Sequence, residues 1–152
     1  MRPAPPDTDA VVVVRKVIRA TPARLFAAWT EPRHLVQWWG PGPVTCPEAE
    51  VDLRVGGRYR IANRMPDGAI NWIDGTFEAV EAPHLLVYSW RMGDAPDERV
   101  TVRFNPHEAG AEVVVRHERI ASPEAVKTHR LGWEGCLNGL AAYLDARHDN
   151  SA

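Results

Sequence analysis

Few side chains in this sequence could move a proton, attack a carbon or hold a metal, and two histidines lead them. His117 shares a predicted strand face with Val113 and Val115, and His129 falls on the apolar stripe of a terminal helix. A neutral imidazole at the wall of an apolar hollow can shuttle a proton near pH 7. A catalytic base also needs an orienting partner. The spacing reveals none, so the plainer reading has each histidine hydrogen-bonding a neighbour and shaping a pocket. His34, His84, His107 and His148 fall in turns, helix ends or tails. Cys136 lies seven residues from His129 on one helix, and seven residues at 1.5 Å rise set them roughly 10 Å apart along the axis. A buried thiol acting as a small hydrophobe is therefore preferred to a thiolate–imidazole pair. Asp74, beside Trp72, is a candidate pocket carboxylate whose strand parity a bulge would decide. The motifs GxSxG, HExxH, GxGxxG and the P-loop are missing. Neither Cys46 nor Cys136 sits in a metal-ligand spacing, so no metal and no cofactor are expected.

Rings give a stronger signal than titratable groups. The chain of 152 residues holds six tryptophans, each with a large apolar body and an N–H that needs a partner when buried. Tyr59, Trp90 and Trp133 fall on predicted inward faces with Ile61, Met65, Phe104 and Leu137. Singly, each reads as core filling. Together with His117, His129 and Tyr88 as converging polar groups, they form the candidate ligand-binding set for a small hydrophobic molecule.

The elements that must position these groups follow from periodicity. Residues 11–19 are β-branched without a breaker and read as a strand. Thr21-Pro22 supplies an N-cap and a proline at the first helical position, opening a helix with Leu25, Phe26 and Trp29 on one face. A second short helix follows Thr30-Glu31-Pro32, with Leu35 and Trp38 or Trp39 inward, and Gly40-Pro41-Gly42-Pro43 stops it. The period then changes from 3.6 to 2. Strands are expected over 48–53, 58–65, 70–81, 84–92, 99–104 and 111–118. Arg58, Arg60 and Arg64 share one face, most simply a solvated one. Leu86, Tyr88 and Trp90 share an inward face, as do Val100, Val102 and Phe104. Ser122, Pro123 and Glu124 open a last helix of about twenty residues, whose stripe is Val126, His129, Trp133, Leu137, Leu140 and Leu144. After Asp145 that helix should fray. Short turns imply antiparallel pairing, and one-sided alternation implies a sheet covered on one face. The fold class is α+β: a curved antiparallel sheet of about six or seven strands gripping a long C-terminal helix, with two short helices after the first strand.

Composition fits one domain, expected over 11–146 with loose tails at 1–10 and 147–152. The chain is 45% hydrophobic and 25% charged, within the globular range. A net charge of −2 leaves no basic surplus for phosphates, so nucleic acid is an unsuitable partner. The run Val11 to Val14 is too short to span a bilayer, and no apolar signal segment precedes it. The expectation is a cytoplasmic protein without membrane insertion.

The element order and several motifs resemble the START-like, or SRPBCC, superfamily. Within it, the resemblance is to the family related to the C-terminal domain of the activator of the heat-shock-protein ATPase. The residues that carry it are Trp38-Trp39-Gly40-Pro41, Val55-Gly56-Gly57-Arg58-Tyr59, Gly75-Thr76-Phe77-Glu78 and Gly132-Trp133. The resemblance implies a helix-grip fold with a ligand cavity between sheet and helix. The reading drawn from it is a START-like domain that binds a small hydrophobic or aromatic molecule without catalysis. One alternative is a cyclase, dehydratase or hydrolase using His117 or His129 as base. Another is an interaction protein that contacts a chaperone or a second copy through an exposed Trp38–Trp39 patch, which leaves a homodimer open.

Overall fold

The computed structural model describes residues 10–150, with side chains to Asp145. The N-terminal tail expected over 1–10 lies almost wholly outside these limits, whereas the C-terminal tail expected over 147–152 is corrected in part, because the last helix runs on to Asn150. The chain runs β1 (Ala10–Ile18), α1 (Pro22–Thr30), α2 (Pro32–Trp38), β2 (Ala49–Val51), β3 (Arg58–Arg64), β4 (Ile70–Glu81), β5 (Leu85–Met92), β6 (Glu98–His107), β7 (Gly110–Ile120) and α3 (Pro123–Asn150). Seven strands form one antiparallel sheet in the order β1-β7-β6-β5-β4-β3-β2. The α+β helix-grip fold anticipated from patterning is the fold observed. No helix among the described residues is long and apolar enough to cross a membrane.

Local signals explain most boundaries. The Thr21 hydroxyl accepts from the Arg24 N–H at 3.1 Å and Ser122 accepts from the Ala125 N–H at 3.1 Å, capping α1 and α3 where predicted. The strand expected over 48–53 shrinks to Ala49–Val51. The strand expected over 99–104 grows to Glu98–His107, because its pairing with β7 continues to His107 opposite Gly110. The β4–β5 register shifts between Phe77 and Ala79, a bulge that bends the sheet.

The inner face of the sheet carries Tyr59, Ile61, Ile73, Phe77, Leu86, Tyr88, Trp90, Val100, Val102, Phe104, Val113, Val115 and His117, all buried. Helix α3 lies over β1 and β7 and also meets α2, with Trp133, Leu137, Leu140 and Leu144 buried beneath it. A Cβ on Gly135 would stand 2.7 Å from the Pro41 Cβ, so glycine here lets the loop after α2 close against the helix.

Candidate ligand-binding site

The middle of the grip is filled with rings. Trp29 from α1 stacks on Trp133 from α3 at a centroid distance of 5.9 Å and an interplanar angle of 15°. Trp39 meets Trp133 edge-on at 5.6 Å, and Trp90 packs on it at 5.4 Å. Burial also finds partners for the indole N–H groups. Trp29 donates to Tyr88 Oη at 3.2 Å, Trp38 to Ala28 O at 2.8 Å and Trp39 to Asn63 Oδ1 at 2.9 Å. Trp38 and Trp39 are 4% and 5% exposed. The exposed patch on which the interaction reading rested is therefore corrected: both rings point inward, because α2 lies over the end of the sheet.

This filling sorts the predicted ligand residues. Tyr59, Ile61 and Tyr88 surround a void of only about 20 Å³, closed by Trp29, Leu35, Val51 and Phe77, room for about one water. Phe104 packs edge-on against Phe26 and Trp29, and Leu137 is fully buried. Met65, Trp90, His129 and Trp133, in contrast, line a cavity of about 270 Å³ at the end of the grip. Trp39, Pro41 and Val44 close it from the α2 side, Ile73 and Met92 from the sheet, and Gly132 and Cys136 from α3. A Cβ on Gly132 would meet nothing within 4 Å, so part of the helical wall carries no side chain. Burial raises the Cys136 thiol to about 12, which leaves it a small apolar group at neutral pH.

His117 does not line this cavity. It is fully buried behind His129, and the two imidazoles stack at 4.3 Å and 19°. A carboxylate joins them: Glu98 Oε1 lies 2.6 Å from His117 Nε2 and 3.1 Å from His129 Nε2. On its other side His117 Nδ1 accepts the Trp133 indole N–H at 2.9 Å. An indole nitrogen only donates, so the His117 proton must sit on Nε2, facing Glu98. Burial would raise the Glu98 carboxyl, but the hydrogen bonds from His117 and His129 together outweigh it and hold it down to about 2. His117 is lowered from its ordinary value, chiefly by burial, against the opposing hydrogen bond to Glu98. The arrangement is a carboxylate clasped by a neutral His117 and by His129, and it supplies the orienting partner that spacing did not reveal.

Donor atoms of Glu98, His117 and His129 lie within 4.8 Å of one another, a separation that a metal ion could bridge. The chemistry of the set opposes it. A metal on His117 Nε2 requires the ring proton on Nδ1, and the Trp133 N–H already points there.

Glu98 was legible one step further along a recognised pattern, because Glu98, Val100, Val102 and Phe104 alternate onto one face. Asn63 likewise continues Tyr59 and Ile61. It is buried, accepts from Trp39, and donates to Ile61 O at 3.3 Å and Asn71 O at 3.1 Å. Asp74 turns outward instead and pairs with Arg91 at 3.3 Å and Arg58 at 3.8 Å. It therefore leaves the pocket set.

The family model described as Activator of Hsp90 ATPase homolog 1-like protein matches residues 19–145. Among solved structures, a protein of Chromobacterium violaceum is 29% identical with a TM-score of 0.80, over 87% of this chain and 95% of its own. An Aeromonas hydrophila protein described as AHSA1-like is 26% identical with a TM-score of 0.78, over 91% of this chain and 94% of its own. The AHSA1 protein of Silicibacter pomeroyi, at 24% identity, shares the fold with a TM-score of 0.83, over 91% of this chain and 100% of its own. No curated protein matches the chain significantly. A fold of this kind, with a family match across β2 to β7, both short helices and most of α3, suggests a ligand-binding domain, and the chain belongs to the Activator of Hsp90 ATPase homolog 1-like family.

Proposed function

We propose that this chain is a cytoplasmic, non-catalytic binding domain for a small hydrophobic or aromatic molecule held between the β3–β5 end of the sheet and α3. One observation carries the reading: a cavity of about 270 Å³ whose wall is mostly apolar and aromatic, with His129 at its edge. Ligand sites usually run from about 300 to 1,000 Å³ and combine apolar walls with a few polar groups. This one lies just below that range and suits one or two fused rings. The test is a thermal-shift panel of one- and two-ring aromatics and short fatty acids, run beside Gly132→Leu. That substitution puts a side chain into the bare wall and replaces a glycine within a helix, which favours folding. Stabilisation of the wild type by panel members, lost in Gly132→Leu, supports the reading. A wild type that responds to no compound sinks it.

A second reading, an enzyme of cyclase, dehydratase or hydrolase type, draws support from the 3.1 Å contact between His129 and Glu98. A carboxylate-oriented imidazole at a cavity wall is what a general base requires. It predicts turnover that His129→Ala lowers about 10²-fold with folding intact.

A further inference from the structure

We infer that the cavity selects ligands carrying a hydroxyl donor on a flat apolar ring, the phenol and naphthol class, and that His129 Nδ1 is the acceptor that reads the hydroxyl. This rests on the binding role proposed above and assigns it a chemical class. Proton placement decides which nitrogen faces a ligand. Trp133 can only donate to His117 Nδ1, so His117 donates from Nε2 to Glu98. Glu98 is thus receiving one N–H at 2.6 Å and stands 3.1 Å from His129 Nε2. An ionised carboxylate only accepts, so the contact with His129 requires a proton on that Nε2 as well. In the neutral imidazole the lone pair is then left on Nδ1. With Nε2 committed to Glu98, Nδ1 is the only ring nitrogen His129 can offer a ligand in the cavity it lines.

The other polar groups at the wall are less suited to this task. Thr128, whose hydroxyl donates to Glu124 O at 3.1 Å, and Asn71 are both exposed, so water competes for their acceptor oxygens. Asn63 already accepts from Trp39 and donates to two carbonyls. The result is a directional chain running from the Trp133 indole through His117, Glu98 and His129. It is anchored by a donor that cannot reverse and presents acceptor character to a mostly apolar space. A ring with a hydroxyl satisfies it. The corresponding methyl ether cannot, because it places oxygen lone pairs where a donor is wanted.

Isothermal titration at pH 8 with 2-naphthol and 2-methoxynaphthalene tests this, using the wild type and His129→Phe, with melting curves confirming that both fold. The expected result is roughly tenfold tighter binding of 2-naphthol by the wild type, and near-equal affinity for the two compounds in His129→Phe. A second measurement does not depend on any variant. Side-chain nitrogen NMR should show His129 Nδ1 as the unprotonated ring nitrogen, with its resonance moving on addition of 2-naphthol and not of the ether. Equal wild-type affinities, a preference that survives in His129→Phe, or a proton found on Nδ1 overturns the inference while leaving the cavity a binding site. If neither compound nor any other aromatic binds, the binding role itself fails and this selectivity falls with it.

Discussion

The two ends of the space between sheet and α3 are built from the same elements and differ in what enters from the side. Toward one end, α1 and α2 insert Trp29 and Leu35, and the gap among Tyr59, Phe77 and Tyr88 closes to about 20 Å³. At the other, α2 has ended, the residues that follow it bring Trp39, Pro41 and Val44, and α3 presents Gly132, so about 270 Å³ stays open. The grip itself therefore does not make a cavity. Openness is set locally, by how far the short helices and the loop after them fill the space opposite the sheet. The same contrast separates the polar groups. Tyr88 and Tyr59 spend their hydroxyls inside the filled end, on Trp29 and on Ser89 O at 2.7 Å. The only titratable cluster with three members in metal-ligand range among the described residues borders the open end.

The strongest way to break this contrast is to empty the filled end. Trp29 touches Trp38, Trp39, Phe104 and Trp133, and Trp29→Ala removes partners from all four while orphaning the Tyr88 contact. The expected cost is about 3–5 kcal/mol, as for large core aromatics generally, read as a fall in the urea midpoint at unchanged slope. A loss below 1 kcal/mol would mean that the ring cluster relaxes freely and that its packing does not define the closed end.

A smaller effect probes the polar boundary of the open end by acid. Glu98 is held down to about 2 in the fold against an ordinary 4.5, so its stabilisation is fully present above pH 4.5 and is lost as pH falls through 2. His117 is lowered below 6.5. Below pH 6.5 the unfolded chain takes up that proton before the folded one does. Both groups give stability that rises with pH, the histidine acting first and the carboxylate later as acid is added. The Glu98 share is on the order of 2 kcal/mol between pH 5 and 2. Urea unfolding across this range should show that loss in the wild type and a smaller one in Glu98→Gln. Identical pH slopes in the two proteins would show that the carboxylate is not clasped as described.

How much of this was legible in the sequence divides along the same line. Alternation and helical spacing place each ring inward or outward, so the inward faces of Tyr59, Trp90 and Trp133 and the buried His117 follow from pattern alone. Which inward ring borders space and which borders another ring depends on elements far apart in the chain. Nothing in the spacing of Tyr88 announces that Trp29 will cap it, and periodicity could not decide between Trp38 and Trp39 because both turn inward. Glu98 shows a different failure. It obeys the alternation of its strand, but a charged residue at a strand end is ordinarily solvated, and only the convergence of β6, β7 and α3 supplies the imidazoles that hold it. Asp74 is the converse, a carboxylate next to a tryptophan that register places on the outer face among arginines.

The gentlest test shaves the wall of the open end. Met65 lies just past β3, is half-buried and borders the cavity. Truncating a fully buried methionine costs about 2–5 kcal/mol, part of it for the new void. Met65 already lacks contact atoms on its cavity side, so it has less dispersion energy to lose, and the volume it vacates joins a space that exists before the change. Met65→Ala should therefore cost about 1 kcal/mol or less by urea unfolding, well under the Trp29→Ala value measured under the same conditions. A Met65→Ala cost approaching that of Trp29→Ala would mean that the two ends are packed alike in solution, with the cavity collapsed around the methionine. The contrast between a plugged centre and an open end would then have to be abandoned.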